Sequence, residues 1–405
     1  MSRRILIAAL AVAMAFPALA AAQAPRVDNG AKPAEGRVEV ALKEVWRAGG
    51  EDDEIFFGSI GSVQRSKDGK IYVLDTQQSQ VQVYSDDGSH LATLGREGDG
   101  PGEVRRPSGM LQLTDGRLCL LQGYPGRIVM LRPDGTPAGE ATYQSGEVQQ
   151  GQFTVLNAGF GAPNGEMVLL GIKMSFGGQS SLSDQTFFLS RCDATGREKV
   201  NYLTKGYQID YADFRLDEGK MDFVWSRFAV GSDGRIYTAP ERNAYLVRVQ
   251  SPDGKIEREI TRPHSARPRD AGQREIATSI LEAVGGYYPT PLKGTTIEDS
   301  EPAITSLFLD DAGNLLVNAG DTRDLPPGVF ALLDVFDKQG KYVRQLALRC
   351  PGDPRKDGLA VLSGGRVVIL RGALDAWLSQ QAVGKEGAAE AETPTLEVVC
   401  YSMSS

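Results

Sequence analysis

The stretch that decides the fold reads SKDGKIYVLD from Ser66 to Asp75 and VQVYSDDG from Val81 to Gly88. Each half combines an Asp-Gly pair with an apolar run rich in β-branched and aromatic residues. Asp-Gly is a typical hairpin turn, because the glycine adopts positive φ at little cost. The stretch therefore predicts short antiparallel strands that are joined by tight turns.

The same pattern returns along the 405 residues as an internal repeat, with degenerate third, fifth and sixth copies. In the first copy, four strands a to d are expected near 60–66, 70–75, 80–85 and 89–94. Strand b is apolar on both faces, which a small sheet can bury only between neighbouring sheets. Radial stacking of six such sheets predicts an all-β fold, a six-bladed β-propeller of four-stranded blades. The six copies centre on Gly69, Gly116, Gly165, Gly234, Gly313 and Gly365.

The sixth copy supplies only three strands, near 357–362, 366–371 and 396–401. Residues 38–46 (VEVALKEVW) precede the first copy and belong to no repeat. An unpaired sheet edge invites association with other chains, so native sheets usually cover it. We therefore expect this N-terminal strand to close the last blade.

Inserted residues are expected on one face of the propeller only. The six glycines are separated by 47, 49, 69, 79 and 52 residues, so the extra sequence falls mainly in the third and fourth intervals. Because strand direction alternates, b–c and d–a loops emerge on the same face, which we call the loop face. Binding residues concentrate on loops held by a rigid scaffold, so this face is the predicted functional surface. The expected loops are 172–184, 320–329 and 372–393 (b–c) and 204–221 and 262–302 (d–a).

Short helical insertions are predicted on the loop face. Asp270 and Gln273 have the spacing of a capping box, and Gly285-Gly286 ends the apolar periodicity that follows. A second short helix is expected at 374–378.

Residues 71–84, together with the connector 94–109, resemble an NHL-type repeat of exported bacterial six-bladed β-propellers. Gln80 stands where that family commonly has arginine. The family contains sensor domains, interaction platforms and a few lyases and hydrolases, so the resemblance implies the fold and leaves the activity open.

The first residues have the order of a secretory signal peptide. Arg3 and Arg4 precede an apolar run over 5–16, and small residues follow Pro17. We expect a signal peptide at 1–20, a flexible N-terminus at 21–36 and one propeller domain at 37–405. This organisation predicts a periplasmic or secreted monomer without a membrane span.

Composition excludes several classes of function. The chain has 44 basic and 52 acidic residues, a net charge of −8, so no basic surface for nucleic acid is expected. Two histidines cannot build a three-His zinc site. Nucleophile-elbow and phosphate-loop motifs are absent from the sequence. The four cysteines fall at blade positions that do not pair obviously, so free thiols are expected.

A group of arginine and aromatic residues is the candidate ligand-binding site. Arginine can hold a carboxylate or an anionic sugar in bidentate fashion, and an aromatic side chain can stack on a ring or fill a partner's pocket. The alternative is that these residues pack, with each arginine paired to a local acid such as Asp213 or Asp217. The candidates are Arg96, Arg105, Arg106, Tyr207, Tyr211, Arg215, Trp225, Arg227, Asp321 and Arg323.

These observations predict an exported, non-catalytic module that binds a protein, a peptide or an anionic saccharide on its loop face, without a cofactor. The alternative is a metal-dependent hydrolase, lactonase or lyase with Ca²⁺ at the top of the central channel. Acids that could serve as ligands are Asp75, Asp99, Glu103, Asp213, Asp217, Asp310 and Asp321.

Overall fold

The computed structural model describes residues 24–51, 53–146, 151–176, 181–319, 322–382 and 395–403. The proposed signal peptide, residues 1–20, lies outside these ranges. The described chain is an all-β protein with few helices and a propeller-like arrangement of sheets.

The strands of the first half of the chain are β1 (Arg26–Asp28), β2 (Arg37–Gly49), β3 (Ile60–Arg65), β4 (Ile71–Asp75), β5 (Gln80–Tyr84), β6 (His90–Leu94), β7 (Pro107–Gln112), β8 (Leu118–Gln122), β9 (Arg127–Leu131), β10 (Pro137–Thr142), β11 (Gln152–Ala162), β12 (Glu166–Phe176), β13 (Leu182–Cys192) and β14 (Glu198–Asp210). Short 3₁₀ turns occupy Pro163–Gly165 and Tyr211–Asp213.

The strands of the second half are β15 (Arg215–Asp217), β16 (Phe228–Val230), β17 (Ile236–Thr238), β18 (Leu246–Gln250), β19 (Ile256–Thr261), β20 (Gly294–Thr296), β21 (Ser306–Leu309), β22 (Leu315–Asn318), β23 (Val329–Phe336), β24 (Tyr342–Arg349), β25 (Gly358–Leu362), β26 (Arg366–Arg371) and β27 (Glu397–Met403). The helices are α1 (Glu218–Met221), α2 (Ala271–Gly285) and α3 (Ala373–Ala382).

Most strands form antiparallel sets in chain order, as the repeat predicts. Three sheets contain β3–β6, β7–β10 and β11–β14, and a fourth contains β16–β19 with β1 added at its edge. An eight-stranded sheet joins β21–β24 and β25–β27 through β2, and β15 pairs with β20 in a two-stranded sheet. The first repeat is confirmed within one residue at each strand boundary.

The hydrophobic core lies between successive sets of strands. One cluster joins the first set to the second through residues such as Leu74 and Leu118. Four further clusters continue around the sets in order, and a sixth returns from the last set to the first. All residues of β4 are buried, as expected for a strand that is apolar on both faces.

The N-terminal strand β2 pairs with two strands rather than one. Its residues Leu42–Gly49 pair antiparallel with β27, as the sequence predicts. Its first part, Arg37–Ala41, pairs parallel with β24, which the sequence did not indicate. One strand therefore completes the last set and also covers the outer edge of the preceding one.

Part of the segment expected to be a flexible N-terminus is paired with a sheet. Strand β1 pairs parallel with β19, the outer strand of its sheet. Next to it, the Asn29 amide nitrogen donates to the carbonyls of Thr261 (3.1 Å) and Gly340 (3.0 Å), and its oxygen accepts from the backbone N–H of Tyr342 (2.8 Å). These bonds order the segment because they satisfy polar groups of two neighbouring sets.

Two of the expected loops are largely extensions of strands. In the predicted loop 172–184, β12 continues to Phe176 and β13 starts at Leu182. In the predicted loop 204–221, β14 continues to Asp210. Cross-strand pairs such as Met174 with Gln185 continue the ladder here, so the inserted residues lengthen the hairpin.

The four cysteines are free, as expected. Burial raises the pKa of the Cys119 and Cys400 thiols to about 12, and that of Cys350 to about 11. The pKa of Cys192 is also raised by burial. Thiols with such raised pKa values are poor nucleophiles at neutral pH.

An aromatic stack joins β2 to the first set of strands. Trp46 and Tyr84 have ring centroids 4.9 Å apart at an interplanar angle of 24°, and they are 7% and 2% exposed. A Cβ atom on Gly88 would lie 2.4 Å from the Trp46 side chain, so this turn needs glycine for space as well as for its φ of +94°. The stack therefore packs the N-terminal strand tightly against the first repeat.

We expect Trp46→Ala to lower the free energy of unfolding by about 3–5 kcal/mol, because it removes a buried aromatic side chain at the closing contact. Denaturant unfolding followed by circular dichroism measures this change. Val45→Ala, at an exposed neighbouring position, is the matched control and should cost less than about 0.5 kcal/mol. Equal losses in the two variants would show that the stack has no special role.

Candidate functional site

Two inserted segments, residues 204–221 and 262–302, fold together on the loop face, and we call them the cap. Strand β15 of the first segment pairs parallel with β20 of the second. Helix α2 begins with the predicted capping box of Asp270 and Gln273. The cap has a hydrophobic cluster of its own, with Phe214 fully buried and Leu281 nearly so.

A network of partly buried ion pairs is centred on Glu218 of the cap. The carboxylate accepts hydrogen bonds from Arg269 at 2.7 and 2.8 Å and from Arg242 at 2.8 Å. Arg269 also bonds Glu301 at 2.8 Å. Burial raises the pKa of Glu218, but the hydrogen bonds from Arg269 and Arg242 outweigh it and lower the pKa below its ordinary value. Because Arg242 lies between β17 and β18, the network attaches the cap to the fourth sheet.

Further polar contacts connect the cap to the eight-stranded sheet. Arg355, just before β25, pairs with Asp270 at the start of α2 at 2.7 Å. Arg267 of the cap pairs with Asp324, and Arg323 donates to the carbonyl of Pro268. The cap is therefore attached to the fourth sheet through Arg242 and to the eight-stranded sheet through Arg355, and a space lies beneath α2 between these attachments.

That space is a cavity of about 700 Å³ between α2 and the loop-face ends of the eight-stranded sheet. Its apolar lining comes from α2 on one side and from β23, β25 and their loops on the other. Its charged lining contains four arginines and three acids. The apolar members include Ile276, Ile280, Leu325, Phe330, Leu332 and Leu359, and the charged and titratable members are Arg37, Arg262, His264, Arg267, Arg355, Glu301, Asp324 and Asp357.

Arg262 is fixed at the wall of the cavity by the buried carboxylate of Asp334. The two side chains are 2.8 Å apart, and Asp334 also accepts from Tyr245 at 2.7 Å and from Gln345 at 2.8 Å. The guanidinium lies 4.2 Å from the centre of the Tyr245 ring, a cation–π contact. Arg37, by contrast, donates to the uncharged amide of Gln345 at 2.8 Å.

The aromatic candidates from the sequence come together, but mainly as packing. Tyr207 donates to Gln185 at 2.9 Å and its ring contacts Phe187. Tyr211 lies against Phe214 in the cluster of the cap. Trp225 donates to the carbonyl of Met221 at 3.2 Å and is 36% exposed, so part of its ring faces solvent.

Most of the arginine candidates are neutralised by local acids, the alternative that the sequence left open. Arg96 pairs with Glu103 at 2.6 Å, Arg105 with Asp99 at 2.9 Å and Arg215 with Asp213 at 3.1 Å. Arg227 is 3% exposed and pairs with Asp222 at 2.7 Å, so it is a structural residue rather than a surface contact. Asp321 lies outside the described residues.

Arg106 differs from the other candidates. Its φ of +43° is unusual for a bulky residue, and it precedes Pro107, where the left-handed region is further disfavoured. Its backbone N–H donates to the hydroxyl of Ser79 at 3.1 Å, and Ser79 is itself buried with a φ of +56°. The Arg106 side chain is exposed, and no ion pair to it is found among the described residues.

Residues that the sequence reasoning did not select follow α2 and lie on α3. Tyr287, which follows α2, is 64% exposed. Burial of part of its side chain raises the pKa of Tyr287. On α3, Gln380 donates to Gln77 at 2.7 Å. The sequence feature that could have drawn attention to this position is the Tyr287-Tyr288 pair. It follows the glycines that end α2, and the sequence reasoning gave it no role.

The acids considered as calcium ligands are engaged elsewhere or separated. Asp75 is 1% exposed and accepts backbone N–H groups, among them that of Gly58 at 2.7 Å. Asp217 caps α1, and Asp310 bonds Asn314 within a turn. Within the described ranges, no three His, Cys, Asp or Glu side chains are grouped as metal ligands. None of the helices described has the length and apolarity needed to cross a bilayer.

Comparison with known proteins agrees with the propeller-like arrangement. Residues 51–111 match the model of a family described as a 6-bladed beta-propeller. No curated protein matches the chain.

Solved structures similar to the chain include propeller proteins of different functions. A candidate exported protein from Bacteroides fragilis has 9% identity, a TM-score of 0.49 and coverage of 93% of this chain and 99% of its own. Regucalcin, a calcium-binding protein from Agrobacterium tumefaciens, has 10% identity, a TM-score of 0.44 and coverage of 91% and 96%. Virginiamycin B lyase from Staphylococcus aureus has 10% identity, a TM-score of 0.38 and coverage of 80% of each chain. Sequence identities of about 10% and TM-scores below 0.5 do not assign an activity to this chain.

We expect Glu218→Gln to lower the free energy of unfolding at pH 7 by about 2–3 kcal/mol, because the buried Arg242 loses its counter-charge and the buried Arg269 keeps only Glu301. Since the pKa of Glu218 is lowered in the folded state, its stabilisation is present above about pH 4.5 and is lost as the pH falls through the lowered value. The difference between variant and wild type should therefore shrink on acidification. Unfolding curves from pH 7 to pH 3 measure this difference in the free energy of unfolding. Glu275→Gln, at an exposed position of α2, is the control. A difference that does not change with pH would contradict a role for the charge of Glu218.

We expect Arg106→Gly to raise the free energy of unfolding by about 0.5–1 kcal/mol, because glycine relieves the strain of a positive φ. Arg96→Gly, at a position in the same connector without positive φ, should instead be neutral or slightly destabilising. Denaturant unfolding of both variants makes the comparison. A large loss of stability in Arg106→Gly would mean that the side chain supports the fold.

Proposed function

We propose that the chain is an exported, NHL-type six-bladed β-propeller that binds a ligand on its loop face without covalent chemistry. In this proposal the eight-stranded sheet is two blades joined by β2, and the six core clusters are the interfaces between blades. The family match at residues 51–111 supports the six-bladed count. The signal-like sequence at 1–20 supports a periplasmic or secreted location.

The observation that carries the proposal is the cavity under α2. Its volume of about 700 Å³ is within the range of small-molecule sites in proteins. It lies on the face where the insertions are concentrated, and ion pairs hold its walls in place. A pre-formed, supported space of this kind lowers the ordering cost of binding.

The lining favours an apolar ligand that carries a carboxylate, such as a peptide or another organic acid. Ile276, Ile280 and Leu332 offer apolar contact along the cavity. Arg37, whose hydrogen-bond partner is the neutral amide of Gln345, can accept an anionic partner without losing an existing ion pair. The carboxylate of the ligand would therefore lie at the Arg37 end.

The experiment is mass spectrometry of small molecules and peptides released from the full-length protein purified from its native envelope. We expect a carboxylate-containing compound to co-purify with wild type and to be lost from Ile280→Trp, because the larger side chain fills the cavity. Glu275→Trp, on the exposed side of α2, is the matched control and should retain the compound.

The hydrolase alternative has a separate readout. We expect CaCl₂ followed by EDTA to change the unfolding temperature only slightly. A large Ca²⁺-dependent rise, together with hydrolysis of lactone or ester substrates, would contradict the non-catalytic proposal. Loss of the co-purified compound from both tryptophan variants would contradict the assignment of the cavity.

A further inference from the structure

The cavity under α2 is elongated, because its lining crosses a complete set of strands. The lining residues on five strands that are consecutive neighbours in the eight-stranded sheet are Ser306 (β21), Asn318 (β22), Leu332 (β23), Gln345 (β24) and Arg37 (β2). Neighbouring strands lie about 4.8 Å apart, so the cavity extends over about 19 Å from β21 to β2. Its volume of about 700 Å³ then corresponds to a cross-section of about 37 Å², which suits one extended chain.

The two ends of the cavity differ. At the outer end, the exposed Arg37 side chain lies on the edge strand β2. At the inner end, the Ser226 hydroxyl donates to the carbonyl of Thr305 at 2.6 Å, and the Thr305 hydroxyl donates to the carbonyl of Asn318 at 3.3 Å. Because the backbone already accepts both hydroxyl hydrogens, neither hydroxyl requires a polar group from a ligand.

Arg37 is also the charged lining residue that is most available to a ligand. Its bonded partner within the described ranges is the neutral amide of Gln345 at 2.8 Å. The other charged lining residues, bonded to an opposite charge or, for Asp357, to backbone N–H groups, are Arg262, Arg267, Arg355, Glu301, Asp324 and Asp357. A ligand anion therefore finds its partner at the outer end.

The middle of the cavity suits an alkyl chain better than a peptide. Ile276 and Ile280 line it from α2, and Leu325 and Leu332 line it from the eight-stranded sheet and its loops. A peptide would bring N–H and C=O groups that weaken binding unless each finds a partner there. An alkyl chain needs no polar partner and gains affinity from each apolar contact.

We propose that the cavity binds a long-chain fatty acid, with its carboxylate at Arg37 and its alkyl chain running under α2 toward Ser226. The inference rests on the proposed function, because it assigns a ligand class to the same cavity. Since Arg37 is exposed, its ion pair with the carboxylate adds little affinity, and the buried chain supplies most of it. Affinity therefore depends mainly on the length of the chain.

Isothermal titration calorimetry tests the dependence on chain length. The full chain is first delipidated on a hydrophobic resin and then titrated with octanoate, decanoate, dodecanoate and tetradecanoate, each below its critical micelle concentration. We expect the Kd to fall about fourfold for each added methylene, because each methylene buries a similar apolar area. A Kd that does not change along the series would overturn the proposal.

Ser226→Phe tests the direction of the chain. The larger side chain fills the inner end, so tetradecanoate should bind at least about tenfold more weakly. Octanoate should change by less than about twofold, because the shorter chain ends before Ser226. Ser226 is exposed, so the variant is expected to keep the unfolding temperature of wild type, which is measured alongside. Equal weakening of both fatty acids would overturn the proposal.

Arg37→Ala tests the position of the carboxylate. It should weaken each fatty acid of the series by the same factor, about two- to fivefold, because an exposed ion pair contributes little and does not depend on the chain. The uncharged tetradecanol should bind wild type and variant equally. Arg344→Ala is the control, since Arg344 is an exposed arginine of β24 that pairs with Glu35 at 3.5 Å and is not a lining residue. Equal affinity of wild type and Arg37→Ala for tetradecanoate would overturn the proposal.

Failure of this inference can be distinguished from failure of the proposed function. A peptide or saccharide that co-purifies with wild type, is lost from Ile280→Trp and is not displaced by tetradecanoate would overturn the fatty acid and leave the cavity as the binding site. Binding of tetradecanoate that is equal in wild type, Ile280→Trp and Glu275→Trp would contradict both. A co-purified fatty acid that is lost from Ile280→Trp alone would support both.

Discussion

The structure depends on the pairing of a strand near the N-terminus with a strand near the C-terminus. β2 and β27 are separated by most of the chain, yet their antiparallel ladder joins the last repeat to the rest of the fold. The stacked rings of Trp46 and Tyr84 then pack this pair on the first repeat. Because contacts of such long sequence separation join the last set of strands to the first, the sheets form a rigid base for the described loops of the loop face.

Much of the fold could be predicted because the repeat combines two local signals. Asp-Gly turns set the strand boundaries, and apolar runs show which strands are covered on both faces. The parallel pairing of Arg37–Ala41 with β24 could not be foreseen, since edge pairing leaves no periodic trace in the sequence. The extension of β12 and β13 was also missed, because these residues were assigned to an inserted loop, although Ile172, Met174 and Phe176 alternate with Lys173 and Ser175 as in a half-buried strand.

The candidate site was predicted less well, for a physical reason. Sequence reasoning selects residues by chemical type, whereas the role of each residue depends on the side chains that surround it in the fold. Arg227 is of the right type and is buried beside Asp222, whereas Arg106 remains open. Helix α2 packs against α3, a contact between two separate insertions that the sequence does not indicate. The cavity arises in the same way, between α2 and a distant sheet.

Hydrogen–deuterium exchange of the full chain, compared before and after its co-purified compound is removed, tests the central claim most directly, that binding uses the loop face. The account predicts slower exchange in α2 and in residues 322–332 when the compound is bound. Exchange in the turns of the opposite face, at 66–69 and 85–88, should not change. Protection confined to those opposite turns, or no protection with the compound bound, would contradict the account.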